Sequence, residues 1–261
     1  MASVKLVLPD KVSGEEFKQH LESYEPLINS ISTSKAAKPG QKTLRELDHF
    51  RFVEAPGLFT QKGPRRAMDH DDVKVLIDWK LRHGKFRPSL MKLVTSNDST
   101  TVQDVVTQGI EAYKEPSDLS AALNVLTKLK GIGPATASLL LAVHYPEDVL
   151  FFSDEAYYWL CNKGQKASIK YNMKEYDALN EAARKLIERL GVSAMDVEKV
   201  AYVLLKQDGP LPSQPQPPRN KAEKAEVKAE TKPAPVKRKK SINEVVKDAA
   251  PLRRSKRGKA V

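Results

Sequence analysis

The chain has 261 residues, which is enough for one domain with a sizeable core, and its net charge is +11 at pH 7. Its single cysteine, Cys161, excludes an internal disulfide, a four-cysteine cluster or a cysteine-based zinc site, and fits a reducing compartment. The N-terminus lacks the apolar run of a signal peptide, and the apolar stretch 139–143 is too short to span a bilayer, so we expect no membrane role.

Helical periodicity and capping residues predict an all-α body with no strand–helix alternation. Residues 30–42 are predicted to form a loop, residues 44–64 contain aromatics without a clean period, and residues 149–152 are a candidate short strand. In the helix at 69–81, Lys80 shares one side with the apolar residues Val73, Leu76 and Ile77. A separate segment of unassigned structure is predicted at 90–95. In chain order, helices are predicted at 13–27, 69–81, 100–113, 119–130, 134–144, 153–161, 175–190 and 194–206.

The basic charge is concentrated at the C-terminal end of the chain. Residues 210–261 contain 15 Lys/Arg and 5 Asp/Glu, so they carry +10 of the net charge, and their Pro-, Lys- and Ala-rich composition predicts disorder. Two basic clusters there are typical of a bipartite nuclear localisation signal, which predicts a nuclear protein and an import receptor as a partner. They are Lys237, Arg238, Lys239 and Lys240, followed by Arg253, Arg254, Lys256 and Arg257. The alternative is a generic electrostatic arm that binds DNA or RNA with a steep dependence on salt, and one tail can do both.

The predicted organisation is therefore a variable, partly helical N-terminal segment at 1–44, a helical domain at 45–208, and a tail at 209–261. The body is almost neutral without the tail. Any nucleic-acid surface on the body must be a local patch.

The most specific motif is a glycine hairpin between two predicted helices. Its two glycines permit positive φ and a close backbone approach, Ile132 between them can enter the core, and Pro134 suits the first turn of a helix. The free N–H groups and positive end of the second helix favour a phosphate, and Lys130 adds charge. The alternative is an ordinary tight turn between core helices. The candidate phosphate-binding residues are Lys130, Gly131, Ile132, Gly133, Ala135 and Thr136.

The sequence Leu-Lys-Gly-Ile-Gly-Pro-Ala-Thr-Ala at 129–137 resembles the hairpin of the helix-hairpin-helix DNA glycosylase superfamily, of the endonuclease III type. Those enzymes have an aspartate at the start of a following helix, and here Asp154 comes seventeen residues after Ala137. The sequence Trp-Lys-Leu-Arg-His-Gly-Lys-Phe-Arg-Pro at 79–88, combined with the hairpin and the Asp154 segment, resembles the Amun-like eukaryotic branch. This resemblance covers about residues 45–208.

The resemblance implies base excision, in which a nucleotide is extruded into a pocket and an acid stabilises the oxocarbenium-like sugar or activates water. Asp154 is the candidate catalytic acid. The alternative is that Ser153, Asp154 and Glu155 only form the start of a helix, with Ser153 as its cap and two acids facing the dipole.

Two departures limit the chemistry that the resemblance implies. Bifunctional members carry a lysine nucleophile where this chain has Ala135, and the iron–sulfur cysteines of the endonuclease III branch are absent. If the chain is an enzyme, the resemblance therefore implies a monofunctional glycosylase without lysine-dependent lyase activity. The five histidines lack ligand spacing, so no metal site and no cofactor are expected.

Two further groups of residues are candidates for nucleic-acid contact. Cations interleaved with Trp79 and Phe86 suit phosphate contact and stacking on bases, although the same pattern also fits the C-terminus of a core helix. Aromatics after Asp154 can line a base pocket or belong to the core. The candidates are Lys80, Arg82, Lys85 and Arg87 for the DNA surface, and Tyr157 and Tyr158 for the base pocket.

The sequence leaves two main functions open. One is a nuclear, monomeric DNA-binding protein that acts as a monofunctional glycosylase in base excision repair. The other is an inactive helix-hairpin-helix module that binds DNA, chromatin or a protein partner. A DNA-binding protein of either kind would make sequence-nonspecific contacts to the backbone of double-stranded DNA, and RNA is an alternative ligand. A cavity beside Asp154 would favour the enzyme, and a pocket filled by neighbouring aromatics would favour the module.

Overall fold

The computed structural model describes residues 6–60, 63, 65–114 and 118–206, and these belong to one compact unit. The basic clusters predicted as a nuclear localisation signal lie outside these residues. Every regular element in the described ranges is helical. The helices are α1 (Gly14–Glu22), α2 (Tyr24–Ser34), α3 (Leu44–His49), a π-helical turn (Phe50–Glu54), α4 (Ala55–Phe59), α5 (His70–His83), α6 (Leu90–Thr95), α7 (Ser99–Lys114), α8 (Leu119–Leu126), α9 (Pro134–His144), α10 (Asp154–Cys161), α11 (Met173–Leu190) and α12 (Ala194–Lys206).

The all-α prediction is confirmed, α9 and α12 have the predicted bounds, and the segment predicted at 90–95 is helix α6. Two predictions in the middle of the chain are wrong. The helix predicted at 119–130 ends at Leu126, because the chain then turns into the hairpin. Residues 149–152 are buried but pair with no strand among the described residues, so they form a packed connection into α10.

The N-terminal segment belongs to the core. The predicted helix at 13–27 is two helices that meet at Ser23, and α2 continues to Ser34, so the predicted loop at 30–42 begins too early. Phe17, Tyr24 and Ile28 are buried, and both helices pack against α12. The segment expected to be a variable lead-in therefore contributes apolar surface to the body.

A π-helical turn explains why residues 44–64 show no helical period. The π-helical turn at Phe50–Glu54 has about one more residue than an α-helical turn, which shifts the buried face of the helix. As a result, the three consecutive residues Phe50, Arg51 and Phe52 are all buried. Arg51 is completely buried and its guanidinium donates to Glu198 of α12 at 3.0 Å. A helical periodicity of 3.6 residues cannot detect such a segment.

Helix α9 is the central helix and sets the position of the hairpin. Every residue from Ala135 to His144 is buried, and α9 contacts α4, α5, α7 and α8. Such all-round burial is typical of a helix in the middle of a core. Because α9 cannot shift without disturbing four neighbours, its first turn is fixed relative to α5.

Candidate functional site

Of the two hairpin glycines, only the first has the positive φ that the sequence allowed for both. Gly131 has φ of +81°, and a Cβ built on it would lie 3.0 Å from Leu93 Cβ and 3.1 Å from Val94 Cγ2. Gly133 has φ of −94° and ψ of 179°, and a Cβ there would meet nothing within 4 Å. Gly131 is therefore required by its positive φ and by its close neighbours, whereas the missing side chain of Gly133 leaves open space over the start of α9.

The hairpin is held from outside by Asn97. Its side-chain oxygen accepts from Lys130 N–H at 2.9 Å, and its side-chain amide donates to Lys130 C=O at 3.0 Å. Ile132 is buried beneath the turn, as predicted, and its N–H donates to Leu129 C=O. The two hydrogen bonds between the Asn97 side chain and the Lys130 backbone fix the orientation of the hairpin backbone.

The start of α9 presents unpaired backbone donors. Thr136 N–H and Ala137 N–H both donate to Gly133 C=O, at 2.8 and 2.9 Å. Gly133 N–H and Ala135 N–H have no acceptor among the residues described here, and Gly133 has no side chain to cap the helix. Free donors at the positive end of a helix dipole favour an anion, so the start of α9 is a candidate anion site.

Asp154 is the first residue of α10, but its carboxylate does not cap the helix. Ser153 provides the cap, since its hydroxyl accepts from Ala156 N–H at 3.1 Å. The Asp154 carboxylate instead accepts, through Oδ1, a hydrogen bond from the hydroxyl of Tyr171. The carboxylate is therefore not required as the N-cap, although its charge still faces the positive end of the α10 dipole.

Tyr171 was missed by the sequence analysis. It lies in the connection between α10 and α11 with φ of +54°, and such a conformation costs roughly 1–3 kcal/mol for a residue with a side chain. Burial raises the pKa of its hydroxyl, and the bond to Asp154 raises it further, so the hydroxyl stays protonated and donates. The strained backbone aims this donor at the carboxylate.

Lys80 reaches the same place from α5. Its ammonium donates to Thr136 Oγ1 at 3.2 Å and lies 5.3 Å from the centre of the Phe151 ring. Burial, with a smaller contribution from Arg87, lowers the pKa of Lys80 to about 8, and Asp154 opposes the shift. The sequence contained the signal, because Lys80 shares the apolar side of its helix.

The C-terminal end of α5 is fixed by stacked rings. His83 stacks between Trp79 and Tyr202, with ring centres 4.4 and 3.8 Å apart, and Tyr202 donates to the His83 carbonyl. Burial lowers the pKa of His83 well below its ordinary value, so the ring is neutral at pH 7. Trp79, one of the aromatics expected to stack on bases, is completely buried in this stack.

These elements enclose one cavity of about 240 Å³. The hairpin, the end of α5 and the start of α10 all contribute to it. It therefore joins a backbone anion site, a carboxylate and several cations. Its lining is Lys80, His83, Gly84, Lys85, Arg87, Leu90, Gly131, Gly133, Pro134, Ala135, Thr136, Phe151, Phe152, Ser153, Asp154, Glu155 and Tyr171.

Several predicted residues lie elsewhere. Arg82 pairs with Asp78 at 2.9 Å and donates to the Lys42 carbonyl at 2.6 Å, so its guanidinium is engaged outside the cavity. Tyr157 and Tyr158 do not line the cavity either. Tyr158 donates to the Ala167 carbonyl.

The aromatic surface of the cavity comes from residues that the sequence analysis did not single out. Phe151 and Phe152 precede α10, and Tyr171 follows it. Glu155 also faces the cavity, but it pairs with Lys206 of α12 at 2.8 Å. Asp154 is thus the cavity carboxylate that lacks a cation within salt-bridge distance among the described residues.

No protein-family model, curated protein or solved structure matches this chain. Within the described residues, no helix is long and apolar enough to cross a membrane. The same residues contain no group of three or more His, Cys, Asp or Glu side chains arranged to hold a metal ion.

Proposed function

We propose that this protein is a nuclear DNA N-glycosylase that binds duplex DNA through its hairpin and receives an extruded nucleotide in the cavity beside Asp154. The observation that carries the proposal is the convergence in one cavity of the unpaired amides of Gly133 and Ala135, the Asp154 carboxylate and three cations. The amides would face a phosphate of the bound strand, and the carboxylate would face the positive charge that develops on the sugar. The cations would face the neighbouring phosphates.

The dimensions of the cavity suit a single nucleobase. Its volume of about 240 Å³ lies just below the range of about 300–1,000 Å³ that is usual for drug-sized ligands, and a base is smaller than those. Phe151 and Tyr171 provide aromatic faces for stacking. Tyr157 and Tyr158 do not line the cavity, so the feature that would have favoured an inactive module is absent from the residues described.

In this proposal each group has one task. Gly133 and Ala135 hold a phosphate of the strand through their amides. Asp154, positioned by Tyr171, faces the sugar and stabilises its positive charge as the bond to the base breaks. Lys85 and Arg87 at the cavity bind flanking phosphates. Phe86, with 68% of its surface exposed between them, is available to stack on a base.

The proposal is tested by base release from duplexes that each contain one of a panel of damaged or mismatched bases. Wild type should release a base from at least one duplex, and Asp154→Asn should lower the single-turnover rate at least about 100-fold. Asp148→Asn, which removes an exposed acid before α10, is the matched control and should retain the rate. Equal rates for wild type and Asp154→Asn would refute the role of Asp154.

A second candidate is a DNA- or chromatin-binding module without activity. The observation in its favour is the Tyr171 hydroxyl, which already occupies one oxygen of the Asp154 carboxylate. Absence of base release from every duplex, together with duplex binding that is weakened by substitution of Gly131 or Gly133, would support this candidate and contradict the glycosylase.

A further inference from the structure

Lys80 lines the cavity without an acidic partner, in contrast to two other lysines of the described helices. Lys74, on the same helix, pairs with Asp71 at 2.9 Å, and Lys206 pairs with Glu155 at 2.8 Å. Lys80 has no carboxylate within salt-bridge distance among the described residues, and its contacts are the Thr136 hydroxyl and the Phe151 ring. A half-buried amine that lines a cavity without a counter-ion is unusual for a structural lysine.

We propose that Lys80 is an amine nucleophile that forms an imine with an aldehyde at C1′ of a sugar bound in the cavity. The aldehyde is that of a ring-opened abasic deoxyribose, so the choice of substrate rests on the proposed function. A lysine on α5 would thereby supply the chemistry that Ala135 in the hairpin cannot.

The geometry supports this role in two ways. Lys80 Nζ lies 3.2 Å from Thr136 Oγ1, in the first turn of α9, and lines the same cavity as Gly133 and Ala135, whose amides would hold a phosphate of the same strand. Asp154 and Lys80 line the same cavity from different helices, so a sugar whose C1′ faces Asp154 also lies within the reach of a flexible lysine.

The environment also makes the amine reactive near neutral pH. With the pKa of Lys80 at about 8, about one quarter of the side chain is neutral at pH 7.5, against about one part in a thousand for an unperturbed lysine. Only the neutral amine has a lone pair for attack, and desolvation beside another cation is a known means of activating lysine.

The reaction balances without an added oxidant or reductant. The amine adds to the C1′ aldehyde to give a carbinolamine, and loss of one water leaves a protonated imine. Loss of the C2′ proton to water is followed by cleavage of the C3′–O bond, which expels the 3′ phosphate. Hydrolysis of the imine then returns the amine of Lys80 and releases the unsaturated aldehyde.

The test uses the full chain and a duplex with one preformed abasic site, with sodium borohydride to reduce the imine to a stable amine. Wild type should give a covalent protein–DNA adduct on a denaturing gel, and peptide mass spectrometry should place it on Lys80. Lys80→Arg and Lys80→Gln should lose more than nine tenths of the adduct. Lys74→Arg on the same helix is the matched control and should retain it.

Three results would overturn the inference. They are the absence of an adduct from wild type that binds the abasic duplex, an adduct located on another amine, or an adduct that persists in both Lys80 variants. Because the abasic site is preformed, the trapping does not depend on base release. Base release without trapping would refute the inference and leave the proposed glycosylase intact. Trapping on Lys80 without base release from any lesion would support imine formation by Lys80 and contradict the glycosylase.

Discussion

Substitution by alanine should affect stability at the first hairpin glycine and duplex affinity at the second. At Gly131 the backbone has φ of +81°, and a new Cβ would lie 3.0 Å from Leu93 Cβ, so both the conformation and the packing oppose a side chain. Residues with side chains pay roughly 1–3 kcal/mol for such a φ. We therefore expect Gly131→Ala to lower the free energy of unfolding by at least about 1 kcal/mol.

At Gly133 the same change meets no steric obstacle. Its φ of −94° is ordinary, and no atom lies within 4 Å of the new Cβ. Alanine is a poorer N-cap than glycine by about 0.5 kcal/mol, but it also restricts the unfolded chain by a similar amount. Gly133→Ala should therefore change the free energy of unfolding by less than about 0.5 kcal/mol while its methyl group hinders a phosphate at the amides, which lowers duplex affinity roughly fivefold.

Urea unfolding followed by tryptophan fluorescence measures the first effect, because Trp79 and Trp159 are both completely buried. Fluorescence anisotropy of a labelled duplex measures the second, with protein that is fully folded at the assay temperature. The reasoning is refuted if Gly133→Ala destabilises the protein as much as Gly131→Ala, or if it leaves duplex affinity unchanged.

Three other changes have defined outcomes. Tyr171→Phe removes the donor that holds Asp154, so single-turnover base release should fall about tenfold with little change in duplex affinity, and an unchanged rate would show that the hydroxyl is dispensable. The rate of borohydride trapping should rise with pH as Lys80 loses its proton, with a midpoint near pH 8 and a plateau above it. Arg87→Met should move this midpoint upward, because Arg87 lowers the pKa of Lys80, and a flat profile would contradict this. Removal of residues 209–261 should flatten the dependence of duplex affinity on salt, since those residues hold most of the net charge, and an identical slope would exclude a role for the tail in binding.

The sequence predicted those parts of the site that depend on local patterns. A glycine pair before a proline at the start of an apolar run determines both the turn and the start of α9, and Ser153 determines the start of α10. Periodicity also placed Lys80 on the apolar side of its helix. Each of these features is encoded within a few residues, where backbone sterics and capping dominate.

The remaining features depend on contacts between distant segments. Tyr171 acquires its role because the connection after α10 folds back on Asp154, and no local pattern distinguishes it from other tyrosines. Arg82 and Lys80 are two residues apart in a basic run, yet one pairs with Asp78 and the other enters the cavity. The π-helical turn at Phe50–Glu54 breaks the period on which helix prediction depends.

The central claim is that Asp154 faces positive charge that develops at the sugar during cleavage of the bond to the base. The most direct test compares the affinities for two duplexes, one with a cationic pyrrolidine in place of the sugar and one with a neutral tetrahydrofuran. Wild type should prefer the cationic duplex by at least about tenfold, since a charge pair in a partly screened site contributes a few kcal/mol, and Asp154→Asn should abolish the preference. Equal affinity of wild type for both duplexes, or a preference that survives in Asp154→Asn, would contradict the account.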